Sequence, residues 1–313
     1  MFKLKKQLAA IGVLGINRRN AQYTLRYNPR RLYPLVDDKL QTKKIALQAG
    51  LAVPPLYGVV ETESQVRHIE GFLEPYPDFA IKPCRGSGGE GILVISGRSK
   101  ALYRKIDGSL LSAAEIGFHV FNILSGMYSL GGQPDKVLIE YRVRFDPVFE
   151  PISFQGVPDI RVIVFLGVPV MSMVRLPTRM SGGKANLHQG AIGAGIDIAT
   201  GTTLTAVWRN NIFPEHPDTG NPVTGVRIPH WDRLLDIAAR CHELTGLGYI
   251  GVDLVLDRDK GPLILELNAR PGLSIQIANR TGLLPRLQLV EQCQSDLLNL
   301  KDRIAFAKQH FRA

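Results

Sequence analysis

Between residues 81 and 95 the chain reads IKPCRGSGGEGILVI: a β-rich run that ends in Lys82, a glycine-rich loop, then a second β-rich run. A triphosphate needs several backbone N–H groups close by, only glycine lets the chain approach that near, and a cation must share the charge. Gly86, Ser87, Gly88, Gly89 and Gly91 therefore read as a phosphate flap with Lys82 as its cation. Gly86, Gly88 and Gly91 also match G-x-G-x-x-G, but a dinucleotide site needs a helix directly after the loop, and here Ile92–Ile95 reads as a strand. The kinase pattern fails as well, because its lysine follows the loop and no H-R-D or D-F-G occurs. With G-x-x-x-x-G-K-[ST] absent too, a strand, lysine, flap, strand hairpin remains, and its bland alternative is a mobile surface hairpin.

A second constellation lies in GYIGVDLVLD (248–257) and PLILELNARPG (262–272), two β runs joined by the turn-rich DRDKG. With the register symmetric about the Asp259–Lys260 bond, Asp253 faces Glu266, and Asn268 lies two residues on along the same face. Like charges opposite one another on a sheet repel, unless a hard cation sits between them. Asp253, Glu266 and Asn268 thus read as a magnesium site, against the alternative of two acids and an amide on a solvated face.

These residues resemble the ATP-grasp superfamily, over roughly residues 35–285. The resemblance implies an α+β fold in which two α+β lobes hold ATP between them. DDKLQTKKIALQAGLAVPP resembles the family's first-lysine passage and points to Lys39; VLIEYRV resembles its adenine hinge and supplies Glu140, Tyr141 and Val143; ELN matches its metal strand. PDIRVIVFLGVPVMSMVRLP is similar to a passage of the ribosomal-protein glutamate ligases and nominates Arg161 and Arg175. An arginine beside the γ-phosphate would neutralise charge on the transferred group, a role given to Arg175. The loop SGGKANLHQGAIGAG resembles the one from which relatives present an asparagine, which adds Asn186 and His188, although His188 also reads as a solvated loop histidine. NARPGL resembles the acceptor-holding segment, where Arg270 would meet a carboxylate. The whole chain is most similar to alpha-L-glutamate ligase-like proteins.

The resemblance implies an ATP-dependent carboxylate–amine ligase that forms an amide through an acyl phosphate, with ATP, two Mg²⁺ ions (Mn²⁺ able to substitute), and an amino acid or peptide among its substrates. The alternatives are an ATP-grasp phosphotransferase or thiol ligase, and a non-catalytic nucleotide-binding scaffold of a membrane or envelope-building complex.

At 313 residues and 45% hydrophobic content the chain can bury a two-lobed core, and its net charge of +10 suits acidic partners. Residues 3–44 hold eleven lysines and arginines against Asp37 and Asp38 alone. That basic arm reads as a solvated, partly helical extension; docking to an acidic substrate, lipid headgroups or a membrane protein is the alternative. No zinc spacing or basic–aromatic ladder of a nucleic-acid module occurs. Cys84, Cys241 and Cys293 are too scattered for a disulfide framework, which with the lack of a convincing signal cleavage site fits a cytoplasmic setting. Cys84 reads as a small apolar filler rather than a nucleophile.

The expected organisation is an arm (1–36), a small lobe with the flap (37–135), a large lobe with hinge, polar loop and metal hairpin (136–283) and a C-terminal helix (284–313). Helices are expected near 37–50, 109–130 and 230–245, the second with Phe118 and Phe121 on its apolar face.

Overall fold

The computed structural model describes residues 2–313 apart from Ser87, Asn210 and Leu298. The fold is α+β, and the chain divides into two compact units. One contains residues 1–37, 44–52 and 144–313; the other contains 38–43 and 53–143.

The smaller unit is built on an antiparallel sheet of strands β1 (Leu56–Val60), β2 (Phe79–Pro83), β3 (Leu93–Ser99), β4 (Leu102–Lys105), β5 (Leu110–Leu111) and β6 (Val137–Glu140), in the order β1-β6-β2-β3-β4-β5. Helix Ala113–Leu124 covers it, burying Ile116, Val120 and Ile123 against Phe79, Ile81 and Ile139. It starts later than the apolar pattern predicts, because Ser112 and Glu115 form a capping box and Leu110–Leu111 pair with β4 as a strand. Phe118 and Phe121 are exposed rather than core.

Two expected boundaries move. Strand β6 pairs with β1 and β2, so it belongs to the smaller unit, which runs on to Val143 rather than ending near 135. The expected hinge residues Glu140, Tyr141 and Val143 end or follow β6, an inner strand of the small sheet, and do not open the large one. The helix expected from residue 37 starts at Lys39, because Asp38 Oδ1 accepts from the backbone N–H groups of Leu40 and Gln41, and it runs Lys39–Gln48.

The larger unit carries β7 (Asp159–Phe165), β8 (Val168–Leu176), β9 (Ile192–Ile196), β10 (Thr203–Trp208), β11 (Asn211–Phe213), β12 (Tyr249–Asp257) and β13 (Gly261–Asn268), ordered β11-β10-β9-β8-β7-β12-β13. Helix Trp231–Thr245 packs on β7, β8 and β12, and its amphipathic face buries Leu234, Leu235 and Ala238. It ends at Gly246, whose φ of 68° accepts the left-handed cap. The expected C-terminal helix is two, Leu284–Gln292 and Leu300–His310, the second capped by Asn299, which accepts from Asp302 N–H.

From Leu14 to Asn28 the arm is packed on one side rather than standing free in solvent. Tyr23 and Tyr27 meet Phe165 edge-on, with ring centroids 5.5 and 4.9 Å apart. Buried Asn28 donates to the carbonyls of Tyr249 (2.6 Å) and Ala269 (2.8 Å) and accepts from Tyr249 N–H (2.9 Å). Gly282 passes so close to the Gly12 backbone that any Cβ would collide with it. Asn28 thus serves as a polar clamp between the arm and strand β12. Asn28→Ala is expected to cost about 2–3 kcal/mol, because two buried carbonyls and an amide lose their partner, readable as a lower urea midpoint.

Candidate functional site

In the smaller unit the flap leaves β2 and returns in β3, which pair antiparallel with Phe79 opposite Ile95 and Ile81 opposite Leu93. Gly88, Gly89 and Gly91 have φ of 66°, 79° and 71°, conformations that cost a side chain free energy, and Gly91 lies directly against the Tyr128 ring. Ser87 lies outside the described residues. Gly86 and Lys39 are joined, since Lys39 Nζ donates to the Gly86 carbonyl at 2.6 Å. His119 Nε2 lies 3.0 Å from the Gly91 carbonyl at the far end of the flap, and burial holds the His119 imidazole below its ordinary pKa.

Lys82 projects from β2 onto Glu140, the last residue of β6, with 2.5 Å between Nζ and Oε1. Lys43 reaches the other oxygen of the same carboxylate at 2.7 Å and also donates to the Pro54 carbonyl at 2.6 Å. Glu140 is 1% exposed. Burial alone would raise its carboxyl pKa; Lys82 and Lys43 outweigh burial and hold it below the usual range. Burial pushes the Lys43 ammonium down, with Glu140 opposing. Glu140 therefore acts as the shared counter-ion of two lysines. Tyr141 N–H donates to the Pro55 carbonyl and Val143 is buried. Lys43, which the sequence places among the cations of a basic arm, is instead buried against Glu140. The fragment KK within a helix gives no sign that one of the pair turns inward. Cys84 is buried and its thiol is pushed up to about 12 by burial, as a packing residue would be.

In the larger unit β12 and β13 bring Asp253 opposite Glu266 and Gly251 opposite Asn268. The pairing is the expected one but it is reached differently. From Asp257 to Leu254 the register is centred on Asp259, and a bulge at Leu265 shifts it by one residue, which puts Glu266 across from Asp253. Asn268 Nδ2 donates to Asp253 Oδ2 at 3.3 Å.

The arginines converge on the same carboxylate. Arg161, on β7 directly across from Asp253, donates to both its oxygens at 2.7 and 2.6 Å. Arg175, on β8, grips Asp159 through two 2.5 Å bonds and reaches Asp253 Oδ2 at 2.9 Å. Burial alone would raise the Asp253 pKa, but the two guanidinium groups outweigh it and hold the carboxyl at about 2. Asp159 goes the other way, because burial together with the Asp253 charge outweighs Arg175 and pushes it up to about 6. Two buried carboxylates share the Arg175 cation, and on acidification Asp159 takes up a proton before Asp253 does. Asp159 stands two residues before Arg161 in the sequence, but its partner Arg175 lies sixteen residues away on the neighbouring strand, which no local pattern displays.

Two carboxylates and an amide can supply oxygens of the kind Mg²⁺ takes, while in this structure both Asp253 oxygens accept from Arg161 and Arg175 and Asn268 turns its Nδ2 toward them. Among the described residues no group of three or more histidine, cysteine, aspartate or glutamate side chains is placed to hold a metal, so such an ion would depend on Asn268 as third donor. Asn186 caps a 3₁₀ turn, Leu187–Gln189, its Oδ1 accepting from His188 N–H at 3.0 Å, and His188 is exposed. Arg270 is exposed, with its guanidinium 5.4 Å from the Tyr33 ring centre.

Residues 18–292 match the model of a family described as sugar-transfer associated ATP-grasp. A search of curated proteins found no match. Among solved structures, the ATP-grasp ligase PsnB complexed with minimal precursor is 18% identical, with 86% of this chain and 63% of that one covered and a TM-score of 0.44. The D-cycloserine synthetase DcsG is 16% identical (86% and 73% covered, TM-score 0.47). The D-alanine–D-alanine ligase from Bacillus anthracis complexed with ATP is 14% identical (89% and 66% covered, TM-score 0.44). The chain spans less than two thirds of the PsnB structure it matches.

Proposed function

Because the chain belongs to the sugar-transfer associated ATP-grasp family, we propose that it is an ATP-dependent carboxylate–amine ligase that activates its acid as an acyl phosphate. The observation that carries this reading is the Asp253 cluster, where paired strands set two carboxylates and an amide beside two arginines. Phosphoryl transfer asks little covalent chemistry of a protein and much charge placement, which such a cluster supplies.

In this reading the flap amides and Lys39 and Lys82 receive phosphate oxygens, and Tyr141 and Val143 border the base. Asp253, Glu266 and Asn268 would hold Mg²⁺, as two ions with Mn²⁺ able to replace them, which when bound orients the phosphates and offsets their charge. A substrate carboxylate oxygen attacks the γ-phosphorus and the bond to ADP breaks. An amine nitrogen then attacks the acyl carbon, and phosphate leaves with one former carboxylate oxygen while the amine gives up a proton. Arg175 stabilises the charge that moves through the transferred group, and Asp159 fixes the orientation of its guanidinium. Arg161 keeps Asp253 ionised, Asn186 and His188 border the phosphates, and Arg270 receives a substrate carboxylate. An amino acid such as glutamate, or a short peptide, fits this chemistry.

The test is purified protein with ATP, Mg²⁺ and a panel of amino acids and peptides, with and without amines, followed for ADP, phosphate and product mass. Amine-dependent phosphate release with a condensation product is expected, and it is lost in Glu266→Gln. A stable phosphorylated product would identify a phosphotransferase, and ATP binding without turnover would favour a scaffold.

A further inference from the structure

Residues 1–36 contain eight lysines and arginines and not one acid. Within them, helix Phe2–Ala10 shows only exposed side chains over its described positions, 6–10. A nine-residue helix whose described side chains are all exposed is marginal in water, so this one asks for a surface to lie on. Large apolar side chains stand in the open beside the cations: Leu8 is 41% exposed, Ile11 54%, Ile16 60% and Leu25 60%. Lys6, Arg18, Arg30 and Arg31 are exposed among them.

The other side of this segment is held firmly. Leu14 N–H donates to Gln276 Oε1 at 2.7 Å, Gly282 N–H donates to the Ile11 carbonyl, and buried Arg19 donates to the Pro271 carbonyl at 2.7 Å. Leu14 and Tyr23 are buried. The exposed side is therefore presented from a fixed base. Exposed Ile277 and Arg280 extend from the same anchoring segment. Arg26 faces Glu291 at 3.5 Å, so its charge is partly answered within the protein.

We propose that the exposed side of residues 6–31 docks the protein onto an anionic lipid bilayer surface. Cations alone would suit any polyanion, but apolar side chains interspersed with them match the boundary between headgroups and acyl chains. A nucleic acid or an acidic protein offers the charge without that apolar layer. No described helix is long and apolar enough to cross a membrane, and the contact proposed is to the surface.

The full chain is to be sedimented with vesicles of phosphatidylcholine alone and of phosphatidylcholine mixed with phosphatidylserine, at low and high salt. Binding to the anionic vesicles only, weakened by salt, is expected. Each cation near the surface contributes about five-fold, so Arg18→Gln with Arg30→Gln and Arg31→Gln is expected to weaken binding on the order of 100-fold. Leu8→Ser with Ile11→Ser is expected to weaken it about ten-fold or more while leaving the unfolding transition unchanged, because both side chains are exposed. The proposal is overturned by no vesicle binding, by equal binding to neutral vesicles, by wild-type binding in the apolar variant, or by retention on duplex DNA or polyglutamate but not on vesicles. Should a variant fail to fold, the lipid and salt dependence of the unmodified chain decides.

Discussion

Glu140→Ala is expected to lower the stability of the smaller unit by about 3–5 kcal/mol, because it leaves the Lys43 and Lys82 ammonium groups buried together without a counter-ion. Glu140→Ala combined with Lys43→Met should recover part of the loss, since it removes one of the stranded charges and keeps its apolar stem. Urea unfolding measures both. A single-variant loss below about 1 kcal/mol would mean that the carboxylate does not balance the lysines. The pH dependence has a fixed sign. Glu140 titrates below its unfolded value, so the stability it contributes is complete above the ordinary carboxylate range and is lost as pH falls through its lowered folded value. Glu140→Gln should flatten that acid limb.

Arg175→Met is expected to reduce turnover by about 10³-fold or more, the scale at which an arginine stabilises a transferred phosphoryl group. It also removes the cation shared by Asp159 and Asp253, so rates must be referred to the folded fraction. Arg175→Lys separates the two roles. An ammonium keeps the charge but lacks the planar fork that grips Asp159 through two bonds while reaching Asp253, so stability should largely return while turnover stays low. Full activity in Arg175→Lys would show that orientation of the guanidinium does not matter.

What could be read from the sequence follows the range of the interactions involved. The flap hairpin rests on glycines and a lysine that are neighbours in the chain, and β2 and β3 pair as the run of residues implies. The Asp253–Glu266 pairing was legible because a hairpin is local, yet the assumed symmetric turn missed the bulge at Leu265 that produces it. Strand β6 was misassigned because its partners β1 and β2 lie far back in the chain, and no periodicity announces that. The same limit hid Lys43 and Asp159, whose roles exist only once Glu140 and Arg175 come beside them. The arm misled most. Arg19 and Asn28 are residue types usually found in water, and here they are buried as clamps on the backbone of Pro271, Tyr249 and Ala269. Similarity to glutamate ligases pointed to the superfamily, while the family that matches is described by sugar transfer, a context that no residue pattern in the chain disclosed.

The central claim is that a carboxylate is activated by phosphoryl transfer and then captured by an amine. The most direct measurement supplies ATP, Mg²⁺, an amine and a carboxylate substrate carrying heavy oxygen, and reads the mass of the released phosphate. The account predicts one heavy oxygen in each phosphate formed, together with an amide product, and neither in Glu266→Gln. Phosphate released without the label would contradict it, because the carboxylate oxygen would then never have been bonded to phosphorus.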